Sequence, residues 1–283
     1  MYDWLVDHKI PLGSWVKTFV DLLNDHAQVV FDFISLVVGA WIDGLTSVLI
    51  AVPPLLLIAA VAGLAYILHR SIGLAIFAFL ALLLVVNLGY WEATLETLSL
   101  VICSTLVCVI VGLPLGIASA HRPWLYAGLR TILDLMQTIP TFVYLIPTLV
   151  LFGLGTVPGL ISTVIFALPA AIRLTHLGIS SVPVQLSEAG KAFGATKTQL
   201  MFKVELPHAL PTIMAGVTQC IMLSLSMVVI AALVGADGLG KPVVRALNTV
   251  NISMGFEAGA AIVVLAIVLD RVCKAPNRSD RRS

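Results

Sequence analysis

The side chains able to do chemistry are concentrated in one polar stretch, SEAGKAFGATKTQLMFKVELPHALP, from Ser187 to Pro211. Its Glu188, Lys191, Lys197 and Lys203 could present orienting charge to a partner. A nucleotide phosphate loop needs Gly-x-x-x-x-Gly-Lys-Ser/Thr after a strand, and GATKT (194–198) has the lysine and threonine without the glycine spacing or the strand. Cys103, Cys108, Cys220 and Cys273 have no paired spacing with histidine, and three of them sit in apolar runs, so they read as small buried hydrophobes. Phe142, Tyr144 and Phe152 lie together in another segment. Their ring faces could attract an organic cation by about 0.5–2 kcal/mol each. Packing between helices is the competing reading.

The elements that must position these groups are membrane helices. The chain has 283 residues, 59% hydrophobic and 11% charged, against about 25% charged in soluble domains. A spanning helix needs about 20 apolar residues. The stretches 44–68, 71–91, 97–120 and 209–236 contain no Asp, Glu, Lys or Arg. The uncharged run 135–172 is too long for one crossing, and FGLGTVPG (152–159) supplies a turn at its middle, which divides it into two spans. A last span falls around 251–270, with Glu257 near its start. The fold class expected is therefore all-α, a polytopic membrane protein of about seven spans.

Charge distribution orients them. His69 and Arg70, Arg122 and Arg130, Lys191, Lys197 and Lys203, and the C-terminal Arg271, Lys274, Arg278, Arg281 and Arg282 all fall on one side, which the positive-inside rule makes cytoplasmic. Lys241 and Arg245 fall on the other. The acidic first 43 residues then lie outside. Within them Trp15, Phe19, Leu22 and Leu23 recur at helical spacing, as in an interfacial helix. An additional span over 29–42 is the rival, with Asp32 against it. A net charge of +1 without a concentrated basic face argues against nucleic acid.

The polar stretch reads as two short helices: Ser187 capping the first, with Glu188 in its first turn, Gly194 turning the chain, Thr196–Val204 resuming, and Pro207 and Pro211 marking the next span. Ala189, Ala192, Phe193, Leu200, Met201 and Val204 form an apolar stripe beside a basic rim. It either packs on neighbouring spans or seats in another protein's groove.

EAGKAFGATKTQLMFKVELP resembles the cytoplasmic signature of the permease subunits of binding-protein-dependent ABC importers: Glu-Ala-Ala, three residues, Gly, nine residues, Ile, one residue, Leu-Pro. Glu188, Ala189, Gly194, Leu206 and Pro207 match; Gly190 stands for the third Ala and Val204 for the Ile. Further resemblance over about residues 45–273, strongest in MQTIPTFVYLIP, is to the glycine betaine, proline betaine and choline branch. It implies a type I importer permease: an outer segment 1–44, two accessory spans in 45–92, a permease core 93–273 with its coupling loop at 179–208, and a cytoplasmic tail 274–283. It also implies a homodimer in the inner membrane lipid, two cytoplasmic ATPase subunits that bind ATP and Mg, and an extracytoplasmic substrate-binding protein. No cofactor belongs to this chain and it performs no bond chemistry.

On that resemblance the ATPase-docking loop comprises Glu188, Ala189, Gly190, Phe193, Gly194, Leu200, Met201, Val204, Leu206 and Pro207. Candidates for the translocation path or its gates are Gln137, Pro140, Phe142, Tyr144, Pro147, Gly235 and Gly238. Asp134, Arg173, Glu257 and Asp270 read as anchors near span ends. The alternative from another class is a secondary transporter of a small osmolyte, driven by an ion gradient and acting alone. It predicts an intramembrane carboxylate and an inverted repeat, neither of which is visible in the sequence.

Overall fold

The computed structural model describes residues 11–274. Asp3, Asp7, Lys9, Arg278, Arg281 and Arg282 lie outside that range. Among the described residues the regular elements are helical: α1 Leu12–Ala51, α2 Pro54–His69, α3 Ile72–Asn87, α4 Trp91–His121, α5 Pro123–Thr138, α6 Thr141–Phe152, α7 Thr156–Ser180, α8 Val184–Ala192, α9 Lys197–Leu200, a π turn Met201–Glu205, α10 Leu206–Ala232, α11 Gly240–Asn248 and α12 Ile252–Cys273. Five helical rods are long and apolar enough to cross a bilayer: α1, α4, α7, α12 and the continuous Lys197–Ala232. The bent pair α5–α6 makes six if it counts as one crossing. The apolar α2 and α3 have 16 residues each, about 24 Å at 1.5 Å per residue.

The centre is built from α4, α7 and α10, and small residues bring their backbones together. A methyl group on Gly112 would stand 2.6 Å from the Ala171 Cβ, and one on Gly116 2.5 Å from the Thr175 Cβ. On the other flank Gly178 lies against Ala209, and Gly216 against Leu174. In lipid, where tails are as apolar as leucine, such close approach is what drives helices together. Hydroxyls add ties: Ser104 donates to Ser224 at 3.0 Å and Thr148 pairs with Ser162 at 2.8 Å. Val101, Ile221, Leu225, Leu239 and Leu265 extend the core to α12. The α2–α3 hairpin leans on α12 through Ile58, Ala65, Ala78, Leu82 and Val268.

Proline chemistry moves several expected boundaries. The stretch 44–68 is not one helix. Residues 44–51 finish α1, Val52 is extended at φ −83° and ψ 128°, and α2 starts after Pro53; a proline forces its predecessor out of the helical region and has no N–H to give. The amphipathic segment and the stretch 29–42 are parts of the same 40-residue α1, and α1 packs through Ile42 on Cys103 and Leu160. The turn expected in 152–159 lies at Gly153–Gly155, while the preceding half is cut again at Ile139–Pro140, where α5 and α6 meet at 96°. Pro147 stays inside α6.

Candidate functional site

The polar loop folds as an elbow. Helix α8 begins at Val184 behind Pro183, so Ser187 lies within it and caps nothing; the proline supplies the start, with its fixed φ and no donor to lose. Gly194 turns the chain at φ +79°, a left-handed conformation that a side chain strains. Thr196 then caps α9 with a full capping box: its hydroxyl accepts from the Gln199 N–H, and the Gln199 side chain accepts from the Thr196 N–H. From there the helix runs through Pro207 and Pro211 without ending. The π turn Met201–Glu205 carries it past Pro207, with the Leu206 N–H reaching back to the Met201 carbonyl. The expectation that these prolines mark the start of a separate span is corrected accordingly.

The apolar stripe divides in two. Leu200 is buried, Met201 and Val204 are half-buried, and Gly190 seats against them; a methyl on Gly190 would lie 2.7 Å from Leu200 Cδ1. Ala189, Ala192 and Phe193 face outward, and Phe193 is 92% exposed. Glu188 is also exposed, while Leu206 is half-buried and Pro207 exposed where the elbow joins α10. One half of the stripe therefore closes the elbow and the other presents it.

A pair absent from the sequence reading fixes this elbow to the bundle. The His121 Nε2 at the end of α4 lies 2.9 Å from the Glu205 carboxylate in the π turn, and its Nδ1 lies 2.9 Å from the Ile117 carbonyl. Glu205 is 9% exposed. Beside them Arg122, Lys191, Lys197 and Thr198 rim an open cavity of about 560 Å³ floored by Leu200 and Met201. A second such pair, Arg173 Nη2 to Asp134 Oδ1 at 2.6 Å, joins α7 to α5. Its members were expected to anchor span ends singly.

The candidate gate residues separate into groups. At the α5–α6 break Gln137, Pro140 and Phe142 are exposed. Tyr144 is turned inward: its hydroxyl donates to the Met136 carbonyl and, at 3.5 Å, to that of Leu135. The Leu135 carbonyl already accepts from the Ile139 N–H at 3.1 Å, but the Met136 carbonyl falls opposite Pro140, which has no N–H to give, so the Tyr144 hydroxyl supplies the donor missing at the break. Pro147 is half-buried. Beyond α6 the Gly155 N–H donates to the Val234 carbonyl at 2.9 Å. Gly235 (φ +90°) and Gly238 (φ +120°) turn the chain there, and the Leu239 N–H donates to the Thr97 hydroxyl at 2.9 Å. A Cβ on Gly238 would meet that hydroxyl at 2.5 Å.

An all-helical bundle of apolar rods with an exposed polar elbow is the architecture of a polytopic membrane transport subunit. The comparisons agree. The model of the binding-protein-dependent transport system inner membrane component matches residues 112–277, and the chain belongs to that family. It is 45% identical over 264 residues to the glycine betaine transport system permease protein OpuAB of Bacillus subtilis (strain 168), covering 93% of each chain. It is 43% identical over 272 residues to the glycine betaine/proline betaine permease protein ProW of Escherichia coli (strain K12), covering 96% of this chain and 77% of that one. The fold matches a solved inward-facing structure of the MetNI methionine ABC transporter with TM-score 0.58 and 26% identity, over 64% of this chain and 93% of that one. The protein is thus an inner-membrane transport subunit of a type I ABC importer.

Proposed function

We propose that this chain is the membrane half of an ATP-driven importer for small quaternary ammonium compounds such as glycine betaine, proline betaine or choline. Two copies form the pore, two cytoplasmic ATPase subunits bind ATP and Mg and dock on the α8–α9 elbows, and an extracytoplasmic binding protein delivers the substrate. The C-terminus and the elbow are cytoplasmic. The named relatives support the substrate class, and the positive charge on the elbow side supports the orientation.

The elbow carries the reading. Phe193 stands almost fully exposed beside the Gly194 turn while Leu200 and Val204 pack against Gly190 of α8, which is the geometry of a knob held ready for a groove. The helix Lys197–Ala232 is one rod of 36 residues, about 54 Å long. It joins the elbow directly to the Gly235–Gly238 turn at the opposite end of the bundle. Closure of the ATPases draws the two elbows together, the rods tilt, and the glycine turns and the α5–α6 break rearrange between open and closed states. The exposed Phe142 offers a weak cation–π contact, suited to a path that must release what it binds. The test is uptake with an F193A variant, which is expected to lose ATPase association and import while still inserting; normal import by F193A contradicts the docking role.

A further inference from the structure

The Asp134–Arg173 pair differs from the other ion pairs among the described residues. Lys241–Asp237 and Lys274–Asp270 are four residues apart in sequence, and His121–Glu205 belongs to the elbow. Asp134–Arg173 joins two helices across 39 residues of sequence, and it is open, with side-chain exposures of 53% and 34%.

Its surroundings say what it is open to. Helix α5 has three faces. Leu133 (2% exposed) and Tyr126, whose ring stacks on His176 at 3.6 Å, face the bundle. Trp124, Ile132 and Leu135 form an exposed apolar face. Arg130, Thr131, Asp134, Gln137 and Thr138 recur at i, i+1, i+4, i+7 and i+8 and are all exposed, so they make one polar stripe. A charged stripe in a membrane subunit needs water or a polar partner against it. The stripe also runs straight into the α5–α6 break, whose Met136 carbonyl is met from the protein side by the Tyr144 hydroxyl, so the stripe itself is what needs a polar partner.

We propose that Asp134 and Arg173 are a substrate-handling pair in the translocation path, matched to a zwitterion that carries an ammonium and a carboxylate. This assignment rests on the importer reading above. An exposed ion pair is weakly held, so a passing zwitterion parts it: the ammonium takes the place of the guanidinium at Asp134 and the carboxylate takes the place of Asp134 at Arg173. Charge stays balanced before, during and after passage. A cation without a carboxylate leaves Arg173 unpaired, so this step favours betaines over choline. Such exchange is transient, as transit requires.

The experiment uses the whole importer in vesicles, with labelled glycine betaine and counted ATP. D134N and R173Q are each expected to lower uptake about tenfold and to raise the ATP hydrolysed per betaine imported, and the D134N/R173Q double variant, which keeps a neutral hydrogen bond, is not expected to recover. Wild-type uptake in either single variant, or recovery in the double, would make the pair a strut and overturn the assignment. D134C supplies a readout independent of turnover: a water-soluble thiol reagent should label it, and millimolar glycine betaine should slow labelling at least threefold. Absence of labelling, or labelling indifferent to betaine, would also overturn it. Wild-type uptake that ignores loss of the ATPase would remove the importer reading itself, and the assignment with it.

Discussion

His121 and Glu205 are 84 residues apart in sequence and meet at 2.9 Å, fastening the π turn beneath the elbow to the end of α4. Because Glu205 is 9% exposed, its carboxylate depends on that contact. Removing one partner of a buried pair costs several kcal/mol, but the His121 side chain is 47% exposed, and solvent reduces the loss to about 1–2 kcal/mol. H121A should lower the thermal midpoint of the purified chain in detergent and loosen coupling, so that more ATP is hydrolysed per substrate imported. An unchanged midpoint together with unchanged coupling would show that the contact carries no load.

Phe193 has almost no contact with its own chain, being 92% exposed. F193A should therefore leave the stability of the isolated subunit within about 0.5 kcal/mol, the usual range for surface changes, while weakening association with the ATPase at least tenfold in a binding titration. Loss of stability with intact association would reverse the roles assigned to the two halves of the stripe.

The glycines of the elbow should behave differently from each other. At Gly190 a methyl would crowd the flexible end of Leu200 at 2.7 Å and touch Val204 at an ordinary 3.7 Å, so G190A, which restores the residue of the family signature, should keep transport within about twofold. At Gly194, where φ is +79°, alanine should cost about 1 kcal/mol and G194W should uncouple hydrolysis from transport with the subunit still inserted. Normal transport by G194W would contradict the docking assignment. E188A should uncouple in the same way, read as ATP hydrolysis persisting while uptake falls.

Gly238 combines φ +120° with a Cβ position 2.5 Å from the Thr97 hydroxyl. G238A therefore strains the backbone and displaces the hydroxyl that receives the Leu239 N–H, a cost of about 2–4 kcal/mol. Thermal unfolding of G238A beside T97V separates the two effects: T97V loses only the hydrogen bond and should fall by less.

What was legible in the sequence was local chemistry. Gly194 in a polar run announced the elbow, and the glycines around 153–155 the turn between α6 and α7; Pro140 and Pro147 looked alike in sequence, and only Pro140 ends a helix. Hydropathy hid the cut at Pro53, because apolar residues on both sides read as one span although the Pro-Pro pair was in view. The helix running through Pro207 depends on a π turn braced by packing against Gly190, which no local pattern records. The His121–Glu205 and Asp134–Arg173 contacts were equally hidden. Their partners lie 84 and 39 residues apart and are brought together only when α4, α5, α7 and the π turn assemble. Tyr144 has a role its residue type does not announce: its hydroxyl donates to the Met136 carbonyl at the break.

The most direct measurement is uptake of labelled glycine betaine and choline by vesicles containing this chain, with its ATPase and binding-protein partners present together or omitted one at a time. The importer account predicts uptake only when all three proteins and ATP are present, with the two ligands competing. Uptake by this chain alone that collapses with the ion gradient and ignores the ATPase would contradict it.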